Sequence, residues 1–271
     1  MTQDTETLSL DGLTFATLKL SLSDHILTII LNRPARKNAI NPDMSNELIY
    51  AFDYAAQTRD IRVVVLAAEG DIFCAGGDLR SMSGKANGEP ASNVPKRGET
   101  DDISLRLRHM NKPVIAKIQG PVLAGALLLV YNATHAYAAD HAYFSAPEIK
   151  RGIWPFMVMA GLFRVMSKRQ GLDFIMRGTK MSADKAAAVG LINQAVEASK
   201  LDIIVADVAK ELANLAPGTM QIGLAAYNAQ EDMDFDPALP FLRSKLDEVL
   251  ASPDAKEGIT AFLQKREPKW D

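Results

Sequence analysis

The chain of 271 residues has a single cysteine, Cys74, so it cannot build an intramolecular disulfide framework, and it fits a reducing compartment. It has no excess of positive charge. Its 30 Lys and Arg stand against 33 Asp and Glu, a net charge of −3, which argues against a general nucleic-acid-binding surface. No apolar run reaches the about 18 residues of a membrane-spanning helix. The longest, 122–130, reads as a core segment. Residues 1–6 are polar and acidic and lack the features of a secretory signal or transit peptide, so a cytoplasmic location is expected. His25, His109, His135 and His141 show no ligand spacing, and no metal is expected. Gly76-Gly77 belongs to no G-x-G-x-x-G nucleotide fingerprint. Ser145 lacks a nucleophile elbow, and Cys74 reads as a buried free thiol.

What is present is an ordinary globular composition, 48% hydrophobic and 23% charged, at a length that suits one large domain or one domain with an appendage. Residues 15–20 and 25–31 are rich in β-branched and apolar side chains and read as strands, with a turn at Leu22-Ser23-Asp24. Pro34 ends the second strand. Asn41 as N-cap and Pro42 at the first helical position start a helix, along which Met44, Leu48, Ala51, Phe52 and Ala55 recur at helical spacing. Strands are expected at 61–68, 112–118, 136–139 and 142–144, with a helix through 124–133. The recurring strand–strand–helix order predicts an α/β fold with mainly parallel central pairing. From Met157 the pattern is mostly helical, with helices at 183–188, 201–215, 216–229, 239–250 and 254–265. A boundary near residue 200 separates a core, 1–200, from a helical part, 201–271. Residues 83–101 are polar and rich in Gly and Pro and read as a mobile surface loop.

Two small-residue stretches carry the chemistry. The first is Gly70-Asp71-Ile72-Phe73-Cys74-Ala75-Gly76-Gly77-Asp78-Leu79-Arg80, which follows the strand at 61–68. The second is Gln119-Gly120-Pro121-Val122-Leu123-Ala124-Gly125-Ala126. Small residues let backbone approach a ligand, and exposed N–H groups there bind an oxyanion. With Leu31-Asn32-Arg33-Pro34, Asn38-Ala39, Phe144-Ser145-Ala146-Pro147-Glu148, Gly152 and the segment from Ser182 to Ile192, these motifs resemble the crotonase, or enoyl-CoA hydratase/isomerase, family. The resemblance spans about 14–269.

The resemblance implies a spiral of ββα units with a helical C-terminal trimerisation region, and a homotrimer or hexamer. It implies an acyl-CoA thioester substrate, with coenzyme A part of the substrate and no permanently bound cofactor. By position, the N–H groups of Gly77 and Gly125 form the oxyanion hole. Arg36 and Lys37 fall where family members contact coenzyme A, and backbone groups of Ala39, Ala75, Asp78 and Leu79 complete those contacts. Phe262 and Lys265 match positions that reach the coenzyme A of a neighbouring subunit. No membrane or nucleic-acid partner is implied. Glu148 corresponds to the glutamate that handles the α-carbon proton, and its setting among Phe144, Pro147, Ile149, Ile153 and Trp154 predicts partial burial and a raised pKa.

The glutamate that helps activate water in classical hydratases is absent. Its position falls on Leu128. Asp140 reads as a turn residue, and Glu99, Asp101 and Asp102 are further candidates for a second carboxylate. One base facing a stabilised thioester slightly favours double-bond isomerisation. Hydration of a 2-enoyl-CoA and a non-catalytic acyl-CoA-binding role are the alternatives. Trp154, Phe156, Met157 and Met159 are assigned to the acyl pocket or to the core behind it.

Overall fold

Hairpin geometry sets the register of the first strands. In the computed structural model, which describes residues 7–82 and 92–270, β1 (Leu18–Ser23) and β2 (Ile26–Leu31) pair antiparallel through a two-residue turn. Both turn residues, Asp24 and His25, have positive φ, 51° and 65°, the geometry that matches the twist of the flanking strands. The turn therefore lies later than the expected Leu22-Ser23-Asp24, and the strand expected at 15–20 is carried forward with it.

The chain then winds as a spiral. α1 (Pro42–Gln57) starts as expected, with the Asn41 side chain accepting the Met44 N–H. β3 (Val63–Ala68), a β-branched run buried on both faces, pairs parallel with β2. α2 (Leu79–Met82) and α3 (Asp102–His109) precede β4 (Val114–Ile118). There follow β5 (Val122–Leu123), α4 (Leu127–Tyr131), β6 (His135–Ala139), β7 (Tyr143–Ser145), α5 (Phe156–Val165) and α6 (Lys168–Arg177). β8 (Met181–Ser182), α7 (Ala183–Ala188) and β9 (Gln194–Val196) complete the sheets, which run β1-β2-β3-β4-β6-β9 and β5-β7-β8. From β2 onward the larger sheet is parallel. Isolated bridges Ile40–Gly77 and Cys74–Val122 extend the smaller layer toward the N-terminus. Each turn thus sends one segment to the large sheet and the next to the small layer. The expected ββα spiral is present.

The principal core lies on one face of the large sheet, where α1 contributes Met44, Leu48, Ile49 and Phe52. α8 (Leu201–Ala213) covers the other face, with Leu201, Val205 and Ala209 packed on Val63, Val65 and Ile115. α9 (Pro217–Gln230), α10 (Phe235–Ala251) and α11 (Pro253–Gln264) follow, with α11 packed on α9 and α10. The expected mobile loop needs correction. Residues 83–91 lie outside the described residues, but 92–101 are tied to α1. Asn46 donates to the Val94 and Pro95 carbonyls (both 3.1 Å) and accepts the Arg97 N–H (2.8 Å), and Asp53 pairs with Arg97 at 2.8 Å.

Glu47, inside α1 and fully buried, accepts the Ala16 N–H (2.7 Å), the Thr17 N–H (2.9 Å) and the Thr17 hydroxyl (2.5 Å). It fastens the segment entering β1. Removing a buried charged acceptor leaves its donors unpaired. Glu47→Ala is therefore expected to lose about 2–4 kcal/mol in urea unfolding. A loss under about 1 kcal/mol would mean that water replaces the carboxylate without penalty.

Candidate active site

The segments 33–40 and 70–78 are locked together by polar side chains. Asn38 is fully buried. Its Oδ1 accepts the Arg33 N–H (2.8 Å), and its Nδ2 donates to the Glu69 and Ile72 carbonyls (both 2.8 Å). The buried Arg33 guanidinium donates to the Ala39 carbonyl and pairs with Asp78 at 3.1 Å. Burial works against the Asp78 carboxylate, but Arg33 and the N–H groups of Arg80 and Ser81 outweigh it and hold the carboxyl below its ordinary range. These roles could not be read from sequence, because every partner except the Arg33 N–H and the Ala39 carbonyl is remote along the chain.

That frame aims the Gly77 N–H. Ile40 donates to the Gly76 carbonyl (2.8 Å) and accepts the Asp78 N–H (2.9 Å). Peptide groups alternate along an extended segment, so Gly77 between them turns its own N–H to the opposite side. Gly125 lies there. A methyl added at Gly125 would sit 3.9 Å from the Gly77 nitrogen. Gly125 is the second residue of the 3-10 turn Ala124–Ala126, whose leading N–H groups have no acceptor within the turn. Among the described residues neither N–H has a hydrogen-bond partner. Ala124 before it is held at φ 55°, in the left-handed region.

Glu148 stands on the next turn of the spiral, in the 3-10 segment Pro147–Arg151 that follows β7. Gly152, at φ 73°, caps the segment, and Ile153 donates to the Glu148 carbonyl at 3.1 Å. The side chain is half-buried. Its Oε2 is fully buried and has no hydrogen-bond partner among the described residues. Burial pushes the carboxyl up, and its own backbone N–H and Arg151 only partly offset this.

Leu128 is buried in the first turn of α4 and supplies no proton-transfer group. Glu99 pairs with Lys96, and Asp102 accepts the Glu99 N–H at 2.8 Å. Neither these nor Asp101, at the N-cap of α3, is bonded to the Glu148 turn. The Cys74 thiol is fully buried, donates to the Asn38 carbonyl at 3.0 Å and is pushed up to about 12 by that burial, the setting of a structural thiol. Among the described residues no group of three or more His, Cys, Asp or Glu is placed to hold a metal ion.

Arg36 and Lys37 are exposed beside the segment that leads to Gly77, and the Lys37 carbonyl accepts the Ala75 N–H at 3.0 Å. Ala39, Ala75, Asp78 and Leu79 belong to the same paired segments. The N–H groups of Ala39, Ala75 and Asp78 are bonded within the protein, to Arg36, Lys37 and Ile40. Trp154 and Met159 pack against the core, whereas Phe156 and Met157 are exposed. Phe262 and Lys265 are exposed on and just after α11. The tail beyond them reaches the residue before β3, where Arg62 donates to the Trp270 carbonyl at 3.1 Å.

A family model described as enoyl-CoA hydratase/isomerase matches residues 22–271. The chain is 28% identical over 247 residues to enoyl-CoA hydratase domain-containing protein 3, mitochondrial, of Rattus norvegicus, covering 91% of this chain and 82% of that protein. It is 31% identical over 261 residues to a carnitinyl-CoA dehydratase of Proteus mirabilis, covering 93% and 97%. The solved structure of an enoyl-CoA hydratase from Mycobacterium smegmatis superposes with a TM-score of 0.85 at 28% identity, over 94% of this chain and 98% of that one.

Gly76 and Gly125, one from each of the two small-residue segments, respond differently to a methyl group. At Gly76, φ is 86° and a methyl would lie 2.8 Å from both Ala124 Cβ and the Leu123 carbonyl, whereas at Gly125 it would meet only the Gly77 nitrogen, at an ordinary contact distance of 3.9 Å. Gly76→Ala is expected to lose about 3 kcal/mol in a chemical melt, and Gly125→Ala less than about 1 kcal/mol. Equal losses would contradict the close approach of the two segments.

Proposed function

The chain belongs to the enoyl-CoA hydratase/isomerase family, and we propose that it acts on an enoyl-CoA through an enolate held by Gly77 and Gly125, with Glu148 moving the proton. The observation that carries this reading is the approach of Gly125 to Gly77, whose N–H groups have no partner among the described residues, with a desolvated carboxylate on the next turn of the spiral. Donors aimed at the thioester oxygen favour the enolate over the neutral ester, and loss of one such donor in other enzymes costs about 3–4 kcal/mol. Arg36 and Lys37 suit the phosphates of coenzyme A. With their N–H groups engaged, Ala75 and Asp78 have carbonyl oxygens to offer, which suit the amine of adenine, whereas the Ala39 carbonyl already accepts from Arg33.

Within the family we favour double-bond isomerisation. Glu148 takes a proton from C2 of a 3-enoyl-CoA. Electron density moves onto the thioester oxygen, and the same carboxyl returns a proton at C4 to give the 2-enoyl-CoA. Leu128 supports this reading, since it supplies no group to activate water. Hydration of a 2-enoyl-CoA is the second reading, supported by the hydratase and dehydratase names of the relatives. Phe262 and Lys265 are proposed to reach the coenzyme A of a neighbouring copy in a homotrimer or hexamer. The exposed apolar row Leu239, Leu242, Leu246 and Leu250 on α10 supports an association through 201–271. A cytoplasmic location is proposed from composition alone, alongside relatives named as mitochondrial.

Mass spectrometry in heavy water tests the reaction with a 2-enoyl-CoA and a 3-enoyl-CoA. Isomerisation predicts interconversion at unchanged composition, with deuterium entering the acyl chain. A product heavier by one water establishes hydration, and binding without exchange establishes a non-catalytic role. Glu148→Gln is expected to slow exchange by about 10²–10⁴-fold. A base must be deprotonated to act, so the rate rises with pH through the raised Glu148 pKa. The acid limb of kcat/KM is expected above the ordinary carboxylate value of 4.5. A limb at or below that value would contradict the burial.

A further inference from the structure

Two helices leave the proposed site. α4 follows Gly125 and carries Leu128, and α5 follows the Glu148 turn. Tyr131, the last residue of α4, joins them. Its hydroxyl donates to the Met157 carbonyl at 3.1 Å, and the Ser104 side chain of α3 stands near it. Its ring lies against Gly161, where an added methyl would overlap the ring carbons. Met157 and Gly161 are one helical turn apart, so one ring covers one face of the start of α5. Any side chain at 161 would drive the two helices apart. That first turn is linked to the base, since Ile153 donates to the Glu148 carbonyl and only Trp154 and Pro155 separate it from α5.

We propose that Tyr131 is a positioning residue that sets the spacing between the Gly125 N–H and the Glu148 carboxylate, and through the first turn of α5 the length of acyl chain the site takes. The proposal rests on the assignment of Gly125 and Glu148 as the groups that act on the thioester. Tyr131 touches no reacting atom. It holds the helix of the oxyanion donor and the helix behind the base in one arrangement by ring contact, and fixes their sliding by the hydroxyl. Phe156 and Met157 are exposed on that same first turn, where they are proposed to meet the acyl chain. Reaction rate is far more sensitive to this spacing than binding is, since misplacement by about 1 Å costs on the order of 10²-fold.

The test compares wild type, Tyr131→Phe, Ser104→Ala and Glu148→Gln. The readouts are deuterium exchange at C2 of short, medium and long straight-chain acyl-CoA thioesters, their dissociation constants, and thermal melting. Tyr131→Phe keeps the ring on Gly161 and loses the hydroxyl. It is expected to slow exchange roughly tenfold, to leave the dissociation constant of the best substrate within about twofold, and to flatten the chain-length preference. Ser104→Ala is expected to change exchange in the same direction by about twofold, and it decides the matter if Tyr131→Phe does not fold. Exchange, affinity and chain-length preference all unchanged in Tyr131→Phe, with Glu148→Gln inactive, would overturn the proposal and leave the site reading intact. Affinity and melting temperature falling together with the rate would also overturn it, as general loosening. Undiminished exchange in Glu148→Gln would overturn the site reading first.

Discussion

Gly77 can offer its N–H to a ligand because the peptide groups on either side of it are bonded to Ile40, and that pairing is held by the buried side chains of Asn38 and Arg33. Asn38 uses both ends of its amide on backbone of two segments. Arg33 neutralises Asp78 and grips the Ala39 carbonyl. A buried ion pair of this kind gives little net stability, because desolvation offsets attraction. Its value lies in direction. It leaves Asp78 and Ala39 few other partners and so leaves one way for the 76–78 backbone to face.

The spiral then repeats one placement. Gly77 follows the small-layer segment of one turn, Gly125 follows β5 of the next, and Glu148 follows β7 of the turn after that. Parallel pairing of β5 with β7 and the bridge of Cys74 to Val122 stack these places side by side. Gly77, Gly125 and Glu148 are thus brought together although they are distant in sequence. Their electrostatics differ as the chemistry requires. N–H groups without a partner favour negative charge on an oxygen set against them. Burial of Glu148 disfavours the charged carboxylate and so strengthens it as a base.

Features decided within a few residues were legible in the sequence. Asn41 and Pro42 start α1 through a bond to Met44, and the Val63-Val64-Val65 run makes a buried parallel strand on its own composition. The burial of Glu148 followed from its apolar neighbours. Features decided by distant partners were not legible. β8 and β9 are two and three residues long and owe their pairing to β7 and β6. Residues 92–101 look like a free loop until Asn46 and Asp53 of α1 are seen to bind them. The hairpin shift arose because Asp24 and His25 adopt positive φ without a glycine to announce it. Leu128 stands out only against the family pattern, since a leucine in a helix of leucines carries no signal of its own.

On the proposed reading, the Gly77 and Gly125 N–H groups polarise the thioester. Isotope-edited infrared spectroscopy of an acyl-CoA labelled at the thioester carbonyl measures this on the bound ligand. The account predicts a carbonyl stretch at lower frequency in the complex than for the free thioester in water, because preorganised donors polarise the bond more than mobile water does. A bound frequency equal to or above the aqueous one would mean that the Gly77 and Gly125 N–H groups do not meet the oxygen, and would contradict the account.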